Sequence, residues 1–344
     1  MGYPLIIRVK TRTFAEALID WYVHQRRNLP WRRTSDPYRI WVSEIMLQQT
    51  RVETVRPYYE RFLTKYPNVA ALAQAREQDL LAMWAGLGYY SRARLMQRAA
   101  KQVMEAGGTF PATHDEILRL PGIGDYTAAA IASIAYGLPH AVLDGNVMRV
   151  VSRLEDDAGD IRSTATRKRL HAAASNLLDR RDPGSFNQAL MELGAMICVP
   201  DSPKCLLCPV ESFCRARALG RERELPVKSR TAVRKFEEVR LLIVHKDECI
   251  LLWQRPHDSK KLAGFWELPE PSSIPSARIK ASLGAFQHGI TNTSYTVTVL
   301  TAEIRRKPSR FEWVNLDELA SIPLSTTARK AIQLWNLAAD VKSL

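Results

Sequence analysis

The hydrophobic positions of this 344-residue chain change their spacing part-way along it. Between Thr11 and about Leu219, apolar residues recur three and four positions apart, which places them on one face of a helix. Glycine and proline interrupt the pattern and mark where helices end. The predicted helices are Phe14–Arg26, Trp41–Lys65, Gln78–Ala85, Ser91–Ala106, Asp115–Leu120, Thr127–Tyr136 and Arg167–Leu178.

A charged stretch without periodicity follows, and after it apolar and polar residues alternate as they do in strands. Strands are predicted at Val239–His245, Cys249–Trp253 and Tyr295–Thr301, and a helix at Pro323–Leu337. The sequence therefore predicts a mostly α N-terminal domain at 12–220, a basic linker at 221–235 and an α+β domain at 236–344.

The formal net charge of +13 favours a polyanionic partner, because each phosphate that a protein neutralises releases a counterion. Charge alone leaves a merely basic surface as the alternative. No apolar run reaches the roughly 18 residues needed to span a bilayer. The first eleven residues lack the apolar core and the cleavage site of a signal peptide. We therefore expect a cytoplasmic protein that does not enter membranes.

Four of the five cysteines, Cys198, Cys205, Cys208 and Cys214, lie within 17 residues. Their spacing is C-x6-C-x2-C-x5-C, whereas zinc sites usually pair two C-x2-4-C units across a longer gap. One C-x2-C with two unequal arms favours a [4Fe–4S] cluster in which each thiolate binds one iron. A zinc site and unligated buried cysteines are the alternatives. Cys249 lies in a predicted strand and is interpreted as a small buried side chain.

The segment LPGIGDYT at 120–127 predicts a helix, a tight turn and a second helix. Gly122 and Gly124 allow positive φ and a close approach of the backbone to a ligand. The helix that follows begins with free N–H groups and the positive end of its dipole, which suits a DNA phosphate. An ordinary turn between two helices is the alternative.

Two carboxylates stand out from their apolar surroundings. Glu44 is a lone acid on an apolar helix, with Gln48 one turn later and Gln49 next to it. Asp144 precedes Gly145 inside another apolar run. A solvated face and a helix cap are the respective alternatives. Breaking an N-glycosidic bond needs one acid to protonate the leaving base and one carboxylate to stabilise the sugar cation.

The motifs together resemble those of MutY-type adenine DNA glycosylases. The resemblance covers about Thr13 to Pro226, and more loosely the rest of the chain, and includes the cysteine spacing. It implies a helix-hairpin-helix fold, an iron–sulfur loop and hydrolytic removal of an adenine that is flipped out of DNA. The matching segments are SEIMLQQT at 43–50, GLGYYSRAR at 86–94, LPGIG at 120–124, LDGNV at 143–147 and FNQALMELGAMIC at 186–198.

The resemblance also implies roles for individual residues. Glu44 would protonate N7 of adenine and later activate water, Asp144 would stabilise the cationic sugar, and Tyr126 and Asn146 would assist them. Endonuclease III enzymes carry a lysine at position 126, which forms a Schiff base and cleaves the strand. A phenol forms no imine, so the resemblance implies a monofunctional glycosylase. The residues expected in the adenine pocket or against DNA are Trp31, Arg32, Gln48, Gln49, Gln188 and, as an aromatic wedge, Tyr89.

The C-terminal domain resembles the MutT-like (Nudix-fold) domain of the same family at GFWELP, residues 264–269. It lacks the acidic helix that holds Mg²⁺, which implies a reader of 8-oxoguanine and not a hydrolase. The family reads the lesion chiefly through Phe-Ser-His, whereas Ile290, Thr291 and Asn292 stand there in this chain. Thr291 and Asn292 keep hydrogen-bonding groups, with His288 close by in sequence. The missing aromatic ring predicts a weaker preference for the lesion.

The sequence therefore predicts a monomeric, nucleoid-associated enzyme that removes adenine opposite 8-oxoguanine or guanine in double-stranded DNA. A thymine or uracil glycosylase of the same superfamily is the first alternative, because it can share Tyr126 and Asp144. Glu44 argues against it, since thymine has no N7. A DNA-damage-binding protein without catalysis is the second alternative, and the presence of both carboxylates argues against it.

Overall fold

The computed structural model describes residues 12–229, 235–256, 258–259, 262–290 and 292–340. These residues form two compact units. The first contains 12–63, 68–70 and 99–229, and the second contains 64–67, 71–98 and the described residues from 235 onwards. None of the described helices is long and apolar enough to cross a membrane.

The chain up to residue 229 is helical, as predicted, and each predicted helical segment contains a helix. Helix starts are set by short polar side chains: Thr13 and Glu16 form a reciprocal cap on α1, and Asp36 accepts backbone hydrogen bonds at α2. The helices are α1 Phe14–Gln25, α2 Pro37–Leu47, α3 Val52–Lys65, α4 Val69–Ala73, α5 Glu77–Trp84, α6 Ser91–Glu105, α7 His114–Leu118, α8 Asp125–Tyr136, α9 Gly145–Glu155, α10 Thr164–Leu177, α11 Pro183–Met196 and α12 Arg215–Ala218.

The prediction of one continuous helix at Trp41–Lys65 is wrong. The chain leaves α2 at Gln48 and enters α3 at Val52. Gln49 between them has φ of 59°, a left-handed conformation that no right-handed helix contains. The predicted helices do not include α9 or α11, although their buried apolar residues follow helical spacing: Val147, Val150, Val151 and Leu154 in α9, and Phe186, Ala189, Leu190 and Leu193 in α11.

Helix α11 lies in the core of the first unit, where it packs against α1, α8 and α9. Gly184 in its first turn faces the end of α8, and a Cβ atom there would lie 2.9 Å from the carbonyl oxygen of Ser133. The two backbones therefore approach closely because residue 184 has no side chain.

Part of the predicted linker at 221–235 makes tertiary contacts. Leu225 is buried, and its carbonyl oxygen accepts a hydrogen bond of 2.9 Å from Arg153 Nε. Arg221 forms an ion pair of 2.7 Å with Asp156. These contacts hold the first half of the predicted linker against α9, and residues 230–234 lie outside the described residues.

The second unit contains two small sheets and a C-terminal helix. In one sheet the strand order is β1-β6-β5, with β1 parallel and β5 antiparallel to β6. In the other, β3 pairs antiparallel with β2, β4 and β7. The elements are β1 Lys235–Ile243, β2 His245–Lys246, β3 Cys249–Gln254, β4 Trp266–Glu267, β5 Arg278–Ile290, β6 Thr293–Glu303, β7 Glu312–Asn315 and α13 Thr326–Asp340.

This mixed architecture confirms the predicted α+β class and is consistent with a Nudix-like domain. The predicted strands correspond to β1, β3 and β6, and the predicted helix corresponds to α13. The sequence does not predict β5, because its residues are mostly exposed and two register shifts interrupt its pairing.

Residues 71–98 belong to the second unit, although the predicted domain boundary lies at 220. The rings of Tyr90 and Phe265 lie 4.0 Å apart, and Arg94 donates a hydrogen bond to the carbonyl of Ala263. Aromatic packing thus joins the segment that carries Tyr89 to the C-terminal elements.

Gly184→Ala should lower the free energy of unfolding by about 1–3 kcal/mol, because a methyl group there must push α8 and α11 apart. Gly124→Ala is the matched control, since a Cβ atom at Gly124 meets nothing within 4 Å. Urea denaturation of both variants measures the difference. Equal stability of the two variants would contradict the close packing of these helices.

Candidate active site

A buried carboxyl group, that of Glu44, lies on α2 with 6% of the residue exposed. Its Oε2 atom accepts a hydrogen bond of 2.7 Å from the hydroxyl of Tyr126 on α8. Burial raises the pKa of Glu44 to about 7, although the Tyr126 hydrogen bond and the charge of Arg32 oppose the increase. Both protonation states are therefore accessible near neutral pH, as general acid–base catalysis requires.

Asp144 is the N-cap of α9, as one of its two interpretations predicted. Its Oδ1 accepts a hydrogen bond of 2.7 Å from the amide of Val147, and its Oδ2 accepts one of 3.0 Å from Asn146 Nδ2. Burial raises the pKa of Asp144, and these hydrogen bonds oppose that rise. Capping fixes the carboxylate in place and still leaves it on the wall of the cavity that contains Glu44.

The cavity has a volume of about 580 Å³, enough for a purine base with part of its sugar. It brings together Glu44 and Asp144 with most of the residues that the sequence singles out. Gln48 also donates a hydrogen bond of 3.4 Å to Thr127 at the start of α8. The other predicted residues on its wall are Trp31, Arg32, Gln49, Tyr126, Asn146 and Gln188.

One wall of the cavity is an ion cluster formed by Arg27, Arg32 and Glu192. The Glu192 side chain on α11 is completely buried and forms ion pairs with both arginines, at 2.7 Å and 2.6 Å. Gln188, one turn earlier, accepts a hydrogen bond of 3.1 Å from the hydroxyl of Tyr22. Several side chains of the cavity wall are therefore held by other side chains before any substrate binds.

The predicted hairpin joins α7 to α8. Gly122 has φ of 80°, which favours glycine, and Gly124 is the residue that precedes α8. Gly124 supplies no side-chain cap, and the space beside its Cα is open. The turn thus has the geometry expected of a backbone phosphate site.

The four predicted cysteine ligands line one small cavity between α9 and the loop after α11. Burial raises the pKa of Cys208 to about 12, and the neighbouring cysteines add to the rise. Among the described side chains, no three His, Cys, Asp or Glu residues are placed to hold a single metal ion. Four soft sulfur donors around a common cavity fit an iron–sulfur cluster, which binds one thiolate at each iron corner.

Two arginines of α9 support the first cysteine of this loop. Arg149 donates a hydrogen bond of 2.7 Å to the carbonyl of Cys198 and one of 2.9 Å to Asn146 Oδ1. Arg153 is buried and donates a hydrogen bond to the sulfur of Cys198 at 3.2 Å. Arg149 thus contacts both the start of the cysteine loop and Asn146, the residue that donates a hydrogen bond to Asp144.

The predicted DNA wedge and lesion readers lie in the second unit. Tyr89 is half exposed, has φ of 47°, and lines a cavity of about 660 Å³ together with His288 on β5 and Ile290. Asn292 accepts a backbone hydrogen bond from Lys235 through its carbonyl oxygen. Thr291 lies outside the described residues.

Comparison with known proteins places these features in a family. The model of the HhH-GPD superfamily of base excision DNA repair proteins matches residues 42–182, which include Glu44, Tyr126 and Asp144. A mouse protein named adenine DNA glycosylase is 33% identical in an alignment of 401 positions that covers 94% of this chain and 78% of that protein. The chain belongs to the adenine DNA glycosylase family.

Two further adenine DNA glycosylases match more locally. The human protein is 46% identical over 222 residues, covering 62% of this chain and 41% of its own length. The Arabidopsis thaliana protein is 39% identical over 300 residues, covering 76% of this chain and 48% of its own length. The chain thus spans less than half the length of these two relatives in the family.

Solved structures share the fold of about 60% of the chain. A thermostable thymine-DNA glycosylase matches with a TM-score of 0.55 and 30% identity, covering 60% of this chain and 95% of that chain. A trapped endonuclease III–DNA covalent intermediate matches with a TM-score of 0.51 and 20% identity, covering 60% of this chain and 94% of that chain. The second likeness concerns the fold alone.

Four residues of the site are not predicted from the sequence: Arg27, Arg149, Arg153 and Glu192. Glu192 carries the same signal as Glu44, a lone acid among apolar helical residues in FNQALMELGAM. The arginines carry no such signal, because the chain has 49 lysines and arginines and these three do not stand out among them. Their partners become visible only when the helices are packed.

Glu44→Gln should be more stable than the unaltered protein at pH 8, with a smaller difference at pH 5. The native state binds the proton of Glu44 more tightly than the unfolded state, with a pKa of about 7 against 4.5. The unaltered protein therefore loses up to about 3 kcal/mol of stability as the pH rises from 4.5 to about 7. Glutamine does not ionise, so the variant does not lose this stability. Urea denaturation at both pH values measures the effect.

Glu105→Gln, at an exposed position on α6, is the control for that comparison. It should change stability little, and equally at both pH values. A Glu44→Gln variant whose stability difference does not depend on pH would contradict the buried, proton-binding carboxyl.

Proposed function

We propose that this chain removes adenine from duplex DNA by hydrolysing its N-glycosidic bond, as a base-excision repair enzyme. One observation carries the proposal: the protonatable Glu44 and the capped Asp144 line the same cavity, which has room for a purine base. Membership of the adenine DNA glycosylase family supports adenine as the base. A positive net charge of 13 supports a DNA substrate.

In the proposed reaction, Glu44 donates its proton to N7 of the flipped adenine. The N-glycosidic bond then breaks, and its electron pair leaves with the base. The Asp144 carboxylate stabilises the positive charge that develops on the sugar, and Val147 and Asn146 keep it in position. Water adds to the sugar carbon, and the Glu44 carboxylate accepts the released proton.

Tyr126 shapes the outcome of this reaction in two ways. Its hydroxyl donates to Glu44 and lies 3.2 Å from the sulfur of Met191, so the carboxyl is held toward the cavity. A phenol offers no amine for a Schiff base with the sugar. The proposed product is therefore an intact abasic site.

The four cysteines are proposed to hold a [4Fe–4S] cluster, which supplies a rigid, structural core for the loop at 198–214. Arg153 donates to the sulfur of Cys198, and the carbonyl of Arg153 lies 3.4 Å from the sulfur of Cys214. The hairpin at Gly122 and Gly124 is proposed to bind a DNA phosphate. The protein is proposed to act as a monomer at the nucleoid, in the cytoplasm.

The preferred substrate is proposed to be adenine opposite 8-oxoguanine, with guanine as a weaker alternative. Tyr89 is proposed as the wedge in the helix, and His288, Thr291 and Asn292 as readers of the opposite base. The hydrogen-bonding capacity of these side chains supports the assignment. The 30% identity to a thymine-DNA glycosylase makes thymine or uracil opposite guanine the competing substrate.

Single-turnover assays should show excision of adenine, and not of thymine or uracil, from duplexes with guanine or 8-oxoguanine opposite the base. Glu44→Gln should lose at least about 100-fold in rate, because an amide delivers no proton. Asp157→Asn is the control, since Asp157 pairs with Arg169 away from the cavity. Strand breaks should appear only after alkali treatment.

Two outcomes of this assay would count against the proposal. Excision of thymine with adenine left intact would favour the competing substrate. An ordinary rate in Glu44→Gln would remove Glu44 from the chemistry, whatever the base.

Protein purified anaerobically should contain about four irons per chain and absorb broadly near 400 nm, as thiolate-bound iron does. Cys205→Ser and Cys208→Ser should lower the iron content and the yield of folded protein together. Cys249→Ser is the matched control, because Cys249 begins β3 and is not one of the cysteines that line the small cavity. Stoichiometric zinc without iron would contradict the cluster.

A further inference from the structure

Glu192 is a buried carboxylate whose oxygens are saturated by arginine. It accepts three hydrogen bonds from Arg27, through the backbone amide, Nε and Nη2, at 2.9, 3.0 and 2.7 Å. It accepts two more from Arg32, through Nη1 and Nη2, at 2.8 and 2.6 Å. Burial opposes ionisation, but the hydrogen bonds from Arg32 and Arg27 hold the pKa of Glu192 at about 2.

This cluster lies on the wall of the cavity that contains Glu44. Arg32 is well covered, and its Nη1 also donates to the carbonyl of Arg27 at 3.2 Å. The guanidinium of Arg32 therefore has fixed partners on one side. Two arginines against one carboxylate leave a net charge of +1 on this wall, and loss of the carboxylate charge would leave +2.

Several other charged or titratable groups surround Glu44 in this cavity. Tyr126 on α8 donates to it, and Asp144 before α9 disfavours its ionisation. Arg32 is the cation that favours ionisation. Arg51 and Arg167 line the same cavity at other positions.

We propose that Glu192 is a positioning residue for Glu44, which fixes Arg27 and Arg32 on the cavity wall and offsets their charge so that the carboxyl of Glu44 stays protonated. Glu192 touches no reacting atom and acts through Arg32. One part of the proposal rests on the proposed glycosylase function, namely that Glu44 delivers its proton to a base. Protonation of Glu44 itself can be measured without DNA.

The direct test is a carboxyl titration of the full, cluster-loaded chain labelled with ¹³C at the glutamate side-chain carboxyls. The Glu44 signal is assigned by its absence in Glu44→Gln. In Glu192→Gln we expect the Glu44 midpoint to move to lower pH by about one pH unit or more, because an unpaired cation close by favours the ionised form. An unchanged midpoint in the folded variant overturns the proposal.

Arg32→Gln gives a second test with the opposite sign. It leaves one arginine and one carboxylate on the wall, so the Glu44 midpoint should move to higher pH. This variant keeps the proposal falsifiable even if Glu192→Gln does not fold. A midpoint that stays or falls in Arg32→Gln also overturns the proposal.

The kinetic test uses the pH dependence of single-turnover adenine excision. In Glu192→Gln the alkaline limb should move to lower pH. If it moves by about one pH unit, the rate at pH 8 falls about tenfold, while the rate at pH 5.5 changes little. A merely structural role would lower the rate by the same factor at every pH, and that result counts against the proposal. Asp157→Asn, which also removes the charge of an arginine-paired carboxylate, should leave the profile unchanged.

The two tests separate the proposal from the proposed function. If the unaltered protein excises no adenine but the Glu44 midpoint moves as expected in the variants, the function fails and the role of Glu192 stands. If adenine is excised but the Glu44 midpoint moves in neither Glu192→Gln nor Arg32→Gln, the function stands and the role of Glu192 fails.

Discussion

The close packing of α11 against α8 and α9 is the constraint on which the catalytic cavity depends. Gly184 lets the start of α11 approach Ser133 on α8. Near its end, Gly194 faces Asn146, where a Cβ atom would lie 2.7 Å from the Cβ of Asn146. Because α8 carries Tyr126 and α9 is capped by Asp144, this spacing sets where both groups stand relative to Glu44.

Close backbones leave little room for water, so each buried polar group in α11 needs a protein partner. The amide of Asn187 donates to Ser133 and to the carbonyl of His140 at 2.9 and 2.8 Å, and it accepts from the amide of Val142 at 3.2 Å. An unsatisfied group here would cost about 1–3 kcal/mol. Asn187 thus connects the segment before Asp144 to the same helix that carries Glu192. The position of Asp144 therefore depends on hydrogen bonds made in the core.

The sequence reveals polar side chains that differ in polarity from their neighbours along the chain. It does not reveal which distant residues they contact. Glu44 stands out because it is the lone acid of an apolar helix. Glu192 has the same signal, but its meaning depends on Arg27, which lies 165 residues earlier in the chain. The break at Gln49 is equally invisible, because a positive φ leaves no trace in hydrophobic spacing. Strand β5 escapes prediction for a related reason, since a mostly exposed strand shows no alternation.

The proposed catalytic residues and the proposed wedge and lesion reader belong to different units. Every residue that lines the catalytic cavity belongs to the first unit, whereas Tyr89 and His288 belong to the second. Adenine is the same base opposite thymine or 8-oxoguanine, so a choice between them requires contacts to the opposite base. One hydrogen bond contributes about 0.5–1.5 kcal/mol, a few-fold to about tenfold in affinity. Aromatic stacking contributes about 1–3 kcal/mol per base, so under the proposed function a chain with Ile290 in place of the aromatic residue would select its lesion mainly by hydrogen bonding.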